Sequence, residues 1–163
     1  MFKRKWKFVL VAGLVACGLG GFRLGLAWAT PPQGFTAESI IGPVTLDESA
    51  TKIETDDWGV KFKTHGVSDL YVTRIKIVPG GHGGWHSHPG PSIIMVKSGT
   101  ATFLDDCDDP MVPRVYPAGS AFVEDAECVH ILGNAGDTDL EVIVIQIVPL
   151  GAPRRIDEDD PRD

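Results

Sequence analysis

The chain has 163 residues, 43% of them hydrophobic, with 19 glycines and 12 prolines. That is the length of one domain with enough apolar side chain for a core, and its glycine and proline content favours strands and turns over long helices. Fifteen basic against 22 acidic residues give a net charge of −7, which argues against nucleic acid or an anionic lipid surface as partner.

Met1–Lys7 carries Lys3, Arg4, Lys5 and Lys7, and Phe8–Phe22 is then uncharged and largely apolar. Arg23 and a stretch ending Ala27-Trp28-Ala29 follow. A basic start, an apolar centre and small residues at the cut predict a secretory signal peptide over residues 1–29. The apolar run is shorter than the ~20 residues of a membrane span, which leaves an uncleaved anchor as one alternative. Leu14-Val15-Ala16-Cys17 resembles a bacterial lipoprotein cleavage box, with Cys17 as the lipidated residue, and is another. All three place the domain outside the cytoplasm, periplasmic or secreted. Cleavage after Ala29 removes five basic and no acidic residues, leaving ten against 22 and a net charge of −12. Cys107 and Cys128 then remain. An oxidising compartment favours a disulfide between them, and two separate buried thiols are the other reading.

Residues 30–38 are largely polar with Pro and Gly, so 30–45 reads as a lead-in to a barrel domain of residues 46–150. Short apolar runs broken by turn residues predict strands at Ser39–Leu46, Val60–Thr64, Leu70–Val78, Ser92–Lys97 and Thr100–Leu104. Further runs lie at Ala121–Val123, Val129–Leu132 and Glu141–Val148. Tyr71, Thr73, Ile75 and Ile77 share one parity, with Arg74 and Lys76 on the other, as in a half-buried strand. Glu141–Val148 is apolar on both faces and predicts a strand covered on both, inside the barrel or at a homodimer interface. Residues 151–163 ("GAPRRIDEDDPRD") have no run able to bury surface and read as a disordered acidic tail. No stretch after residue 29 carries a helical apolar period. The fold class is all-β, a sandwich or barrel.

Three of the five histidines fall in "GGHGGWHSHPGPS", residues 80–92. On extended chain His86 and His88 point to one face, a bidentate clamp for a transition metal. A third, His130, opens another apolar run, with Asn134 four residues on. Gly80, His86, His88 and Gly99, and then Gly119, His130 and Asn134, stand in the spacing of two motifs. In those positions the chain resembles the cupin superfamily over about residues 60–150. The resemblance implies a double-stranded β-helix, or jelly-roll barrel, with His86, His88 and His130 as metal ligands inside it.

Departures from the motifs are as informative as the matches. Position 92, where the resemblance implies a glutamate as fourth ligand, holds Ser92. Positions 125 and 127 hold Asp125 and Glu127 in place of Pro and Gly. Three neutral imidazoles would leave a divalent ion its full charge and open positions, suited to binding an anionic or chelating substrate. Ser92, of the same parity as His86 and His88, is then expected as a catalytic group that orients a metal-bound oxygen or the substrate. Fe, Mn, Zn, Ni and Cu are all compatible with the set.

The expected function is therefore a metal-dependent, dioxygenase-like reaction on a small chelating substrate. The alternative is a non-catalytic module that binds or senses a small ligand or metal. Other polar residues have plainer readings. His82 lines the mouth or faces solvent, and His65 sits in a surface turn. Trp85 packs on the outer face of the barrel, Arg74 is a surface charge, and Asn134 fixes a turn. Gln146 is a minority candidate for the cavity. Asp105–Asp109, Glu124 and Asp125 read as solvated loop.

Overall fold

The computed structural model describes residues 30–108 and 110–163. The expected signal segment, with Cys17, lies outside the described residues. Twelve strands and no helix occur among the described residues. They are β1 (Gln33–Leu46), β2 (Ala50–Glu54), β3 (Gly59–Lys63), β4 (Ser68–His82), β5 (His86–Ser87) and β6 (Ser92–Ser98). After them come β7 (Thr100–Asp105), β8 (Arg114–Pro117), β9 (Ala121–Glu124), β10 (His130–Gly133), β11 (Leu140–Pro149) and β12 (Ile156–Asp157).

Ten of these strands form two antiparallel layers. One runs β1-β4-β11-β6-β9, the other β12-β5-β10-β7-β8, and a β4–β10 bridge between His82 and Gly133 joins them into a nearly closed barrel. The remaining pair, β2–β3, is a separate exposed hairpin. Alternation decides what fills the barrel. In β11 the even residues from Leu140 to Val148 are buried and the odd ones are half-buried, as a period of two requires. Ile77, Ile94, Val96, Phe103, Phe122, Leu132, Val142 and Val144 make up the greater part of one apolar core.

Register stacks the interior in layers. Glu124, Ser92, Gln146 and Tyr71 are cross-strand neighbours over β9, β6, β11 and β4. Phe122, Ile94, Val144 and Thr73 form the next layer inward. In the opposite sheet His86, His130 and Asp105 share one layer, and Leu132 and Phe103 the next.

Three segments differ from the sequence expectations. The lead-in of residues 30–45 is mostly β1, which pairs along β4 from Gln33 to Leu46. Its side chains are nearly all exposed, so its backbone pairing with β4, more than side-chain burial, holds it. The tail of residues 151–163 is not free chain: β12 pairs with β5, and the Glu158 N–H donates to the Trp85 carbonyl (3.1 Å). Arg162 lies over the Trp85 ring, 5.1 Å from its centroid. Trp85 therefore packs outside the barrel, as expected, yet is buried beneath this segment. Composition hid this because backbone pairing and charged side chains, not an apolar run, dock the tail. The outer face of β11 is only half covered in the single chain.

Cys107 and Cys128 are bridged, with Cα atoms 5.7 Å apart. The bridge ties the loop after β7 to the approach to His130. Asp105, expected in a solvated loop, is buried and paired with Arg114.

Candidate metal centre

His86 comes from β5, His130 from β10, and the two are direct cross-strand partners. His88 follows two residues after His86 on extended chain and returns to the same side. Their ring centroids lie 4.4–4.9 Å apart, all three are buried, and one nitrogen from each falls within 4.8 Å of the others.

Backbone carbonyls set the orientation of each ring. His86 Nδ1 donates to the Gly84 carbonyl (2.8 Å) and His130 Nδ1 to the Cys128 carbonyl (2.8 Å), each two residues upstream. His88 Nδ1 lies 2.7 Å from the Arg154 carbonyl, which the C-terminal segment brings in. A proton held on Nδ1 leaves the Nε2 lone pair free, the tautomer a metal requires. His130 Nε2 is buried with no hydrogen-bond partner. Burial, then the neighbouring His130, Arg155 and His88, pushes the His86 pKa down to about 2. Burial also lowers that of His130, against the pull of Glu124. Both rings are therefore neutral donors at neutral pH.

Gly84 has to be glycine. Its φ is +72°, and a Cβ there would overlap the Thr30 carbonyl. The carbonyl that holds His86 is thus fixed by a close backbone crossing. At the other motif departure, Glu127 takes φ +68°, a left-handed conformation unusual for a side chain larger than Asn. Its N–H donates to the His88 carbonyl (2.8 Å), which holds it there.

The carboxylate in this site comes from Glu124, which lies on β9 and not in the solvated loop expected from its sequence. Glu124 is 3% exposed, and its Oε2 lies 3.5 Å from His88 Nε2 and 3.7 Å from His130 Nε2. The loop reading failed because the predicted strand stopped at Val123. β9 continues one residue further, and Phe122 and Glu124 share the inward parity. Asp125, the next residue, is exposed.

Ser92 occupies the expected layer. It is fully enclosed between Glu124 and Gln146 in register, its Oγ has no hydrogen-bond partner, and it is not among the walls of the cavity. Gln146 does face the cavity: its Nε2 lies 3.0 Å from His88 Nδ1 and donates to the Arg154 carbonyl (2.8 Å), and its Oε1 accepts from Arg154 Nε (3.1 Å). Arg154 also donates to Thr73 Oγ1 and stacks over Tyr71. No sequence signal marked Arg154, since its position follows from the docking of the tail. His82 stands apart from the three, its Nδ1 accepting from the Gly84 N–H (3.1 Å), and His65 is exposed. Asn134 bridges a turn through Ile77, Thr138 and Gly136. Arg74 pairs with Glu38 and Glu141 on the outer face.

Next to His86 and His88 is a cavity of about 260 Å³. Phe35, Ile75, Ile94, Leu132 and Val144 give it apolar walls, and Glu124, Gln146, Arg154 and Arg155 add polar groups near His86 and His88. Few polar groups in an apolar concavity is the usual make-up of a small-molecule site.

Residues 73–146 match the family model of the cupin domain. No curated protein sequence matches the chain. Among solved structures, the polyketide cyclase RemF from Streptomyces resistomycificus shares 14% identity over 81% of this chain and 78% of its own, with a TM-score of 0.54. A cupin-like protein from Thermotoga maritima shares 24% identity over 56% of this chain, with a TM-score of 0.49. An oxalate oxidase shares 27% over 50% of this chain, with a TM-score of 0.43. The chain spans 65% of the Thermotoga chain and 46% of the oxidase chain, less than two thirds of either. The likeness to the cyclase is one of fold.

Proposed function

The chain belongs to the cupin superfamily, and from that premise we propose that it binds one divalent transition metal through His86, His88 and His130 and takes a small metal-chelating substrate in the adjoining cavity. The observation that carries this reading is the tautomer lock. Three Nδ1 atoms are held by three backbone carbonyls, and three Nε2 atoms are left to converge in a buried space. Packing alone gives no reason to desolvate three imidazoles and leave His130 Nε2 unpaired. When bound, the metal would supply Lewis acidity, and with a redox-active ion dioxygen chemistry of the oxygenase type.

The chain's own residues would do the rest. Apolar walls exclude water and fit the body of a small substrate, while Gln146 and Arg154 hold His88 in place. Arg154 and Arg155 favour a substrate with a carboxylate or similar anionic group. We place the protein outside the cytoplasm, in line with its basic-then-apolar N-terminus and the Cys107–Cys128 bridge. A homodimer through the outer face of the β1-β4-β11-β6-β9 layer belongs to the same proposal. Its support is one apolar row, Ile41, Val72, Ile145, Ile93 and Val123, in cross-strand register over all five strands.

Metal analysis of the full chain tests the reading. One equivalent of Fe, Mn, Zn, Ni or Cu is expected per chain, as isolated or after reconstitution, and His88→Ala should lose it. Absence of affinity for all five metals would overturn it. Oxygen uptake across a panel of small carboxylates then separates an oxygenase from a binding module.

A further inference from the structure

We propose that Glu124 is the fourth, anionic metal donor, and that it supplies from the neighbouring strand the carboxylate that position 92 lacks. The inference rests on the metal-binding reading above and goes beyond it, because nothing in the motif spacing assigns position 124.

Three observations carry it. The first is register. Glu124 and Ser92 are directly opposite on β9 and β6, and directly opposed residues in an antiparallel pair have Cβ atoms roughly 4.5–5.5 Å apart on one face. A glutamate at either position therefore sends its carboxylate into the same volume. Only one of the two fits there, and in this chain the other is the smallest hydroxyl residue, fully enclosed.

The second is distance. Glu124 Oε2 lies 3.5 Å from His88 Nε2 and 3.7 Å from His130 Nε2, longer than the ~2.7–3.2 Å of a good N–H···O hydrogen bond. Those separations instead suit donors sharing an ion. Donors about 2.0–2.2 Å from one metal in a tetrahedron stand roughly 3.3–3.6 Å from each other, a range that includes the His88 separation and ends just short of the His130 one. The carboxylate is placed as a co-ligand would be, beside two nitrogens whose lone pairs the backbone has freed.

The third is charge. Glu124 is 3% exposed and faces the Nε2 atoms of His88 and His130. A buried carboxylate is stable only when something positive or several donors compensate it. Neither nitrogen is within good hydrogen-bond distance of the Glu124 carboxylate. A divalent cation between them satisfies the carboxylate and His130 Nε2 together.

The test uses the full chain, stripped of metal and titrated with Co(II), reading stoichiometry, affinity by chelator competition and the visible absorption band. Wild type should take up one Co(II). Glu124→Gln, which keeps shape and loses the anion, should lower affinity at least tenfold and change the band. The exchange Ser92→Glu/Glu124→Ser, which conserves volume, should regain affinity to within a few-fold of wild type, because the carboxylate returns to the same space. Melting curves of the metal-free proteins verify that both variants fold. Wild-type affinity and an unchanged band in Glu124→Gln would overturn the inference while leaving the three-histidine reading intact. Equal loss in Glu124→Gln and in a folded exchange variant would overturn it too, since the position and not the carboxylate would then matter. No Co(II) on wild type would defeat both readings at once.

Discussion

Two adjacent layers of the barrel interior are built from the same strands and spend their side chains differently. One holds Glu124, Ser92 and Gln146 across from His86 and His130; the next holds Phe122, Ile94 and Val144 across from Leu132 and Phe103. They touch: Phe103 lies 5.4 Å from the His130 ring and 5.1 Å from that of Phe122, centroid to centroid. Apolar area removed from water stabilises by about 25 cal/mol per Å², so the second layer favours folding outright. The first desolvates a carboxylate, imidazole nitrogens and a hydroxyl, two of whose atoms have no partner, so without a ligand it opposes folding. The apolar layer thus serves as the foundation that holds a costly polar layer at fixed distances. If so, substitutions in the two layers should separate stability from metal binding.

The largest effect on folding is expected below the site. Phe103→Ala, at 1% exposure, should lower unfolding free energy by about 3–5 kcal/mol in urea denaturation. Metal affinity should fall with it, because Phe103 packs on the His130 ring. A stability loss under about 1 kcal/mol would mean that this layer is not the foundation. Next in size is removal of residues 152–163. That deletes the Arg154 carbonyl that orients His88 and the cover over Trp85. Affinity for a divalent metal should fall about 10- to 100-fold, as when an outer partner of a metal ligand is lost. The melting temperature should drop less than in Phe103→Ala. Unchanged affinity would show that His88 needs no help from the C-terminal segment.

The two layers also differ in how far the sequence revealed them. Part of the apolar interior was legible by parity alone: Ile75 and Ile77 alternate with Arg74 and Lys76, which places them inward, whereas Glu141–Val148 is apolar on both faces and only its pairing in the barrel shows that the even residues point in. The three histidines were legible because two of them sit at i and i+2 and because their spacing to Gly80, Gly99, Gly119 and Asn134 resembles known motifs. Glu124 was within reach, since it shares parity with Phe122, but a buried carboxylate is the exception and the loop reading was the ordinary one. Arg154 and the docked tail were out of reach. Their placement depends on a two-residue strand pairing and a cation over an aromatic ring, and neither leaves a periodic pattern. Position 92 was read correctly as the departure from the motif, but its consequence lay on another strand, and register between strands is not written in spacing along one.

Ser92 gives the smallest expected effect and the sharpest separation of the layers. Its hydroxyl is fully enclosed, unpaired and absent from the cavity wall. An unmade buried hydrogen bond costs about 1–3 kcal/mol, whereas an apolar replacement of similar shape is near neutral or stabilising. Ser92→Ala should therefore leave metal stoichiometry and affinity unchanged and raise unfolding free energy by up to ~1 kcal/mol, a shift of a few degrees in melting temperature. A serine that oriented a metal-bound oxygen or a substrate would behave otherwise. Its removal would shift the Co(II) band or weaken binding of a small carboxylate to the loaded protein, and stability would not rise. Higher stability with an unaltered metal signature would place Ser92 with the foundation it is packed against, as the small residue that makes room for Glu124.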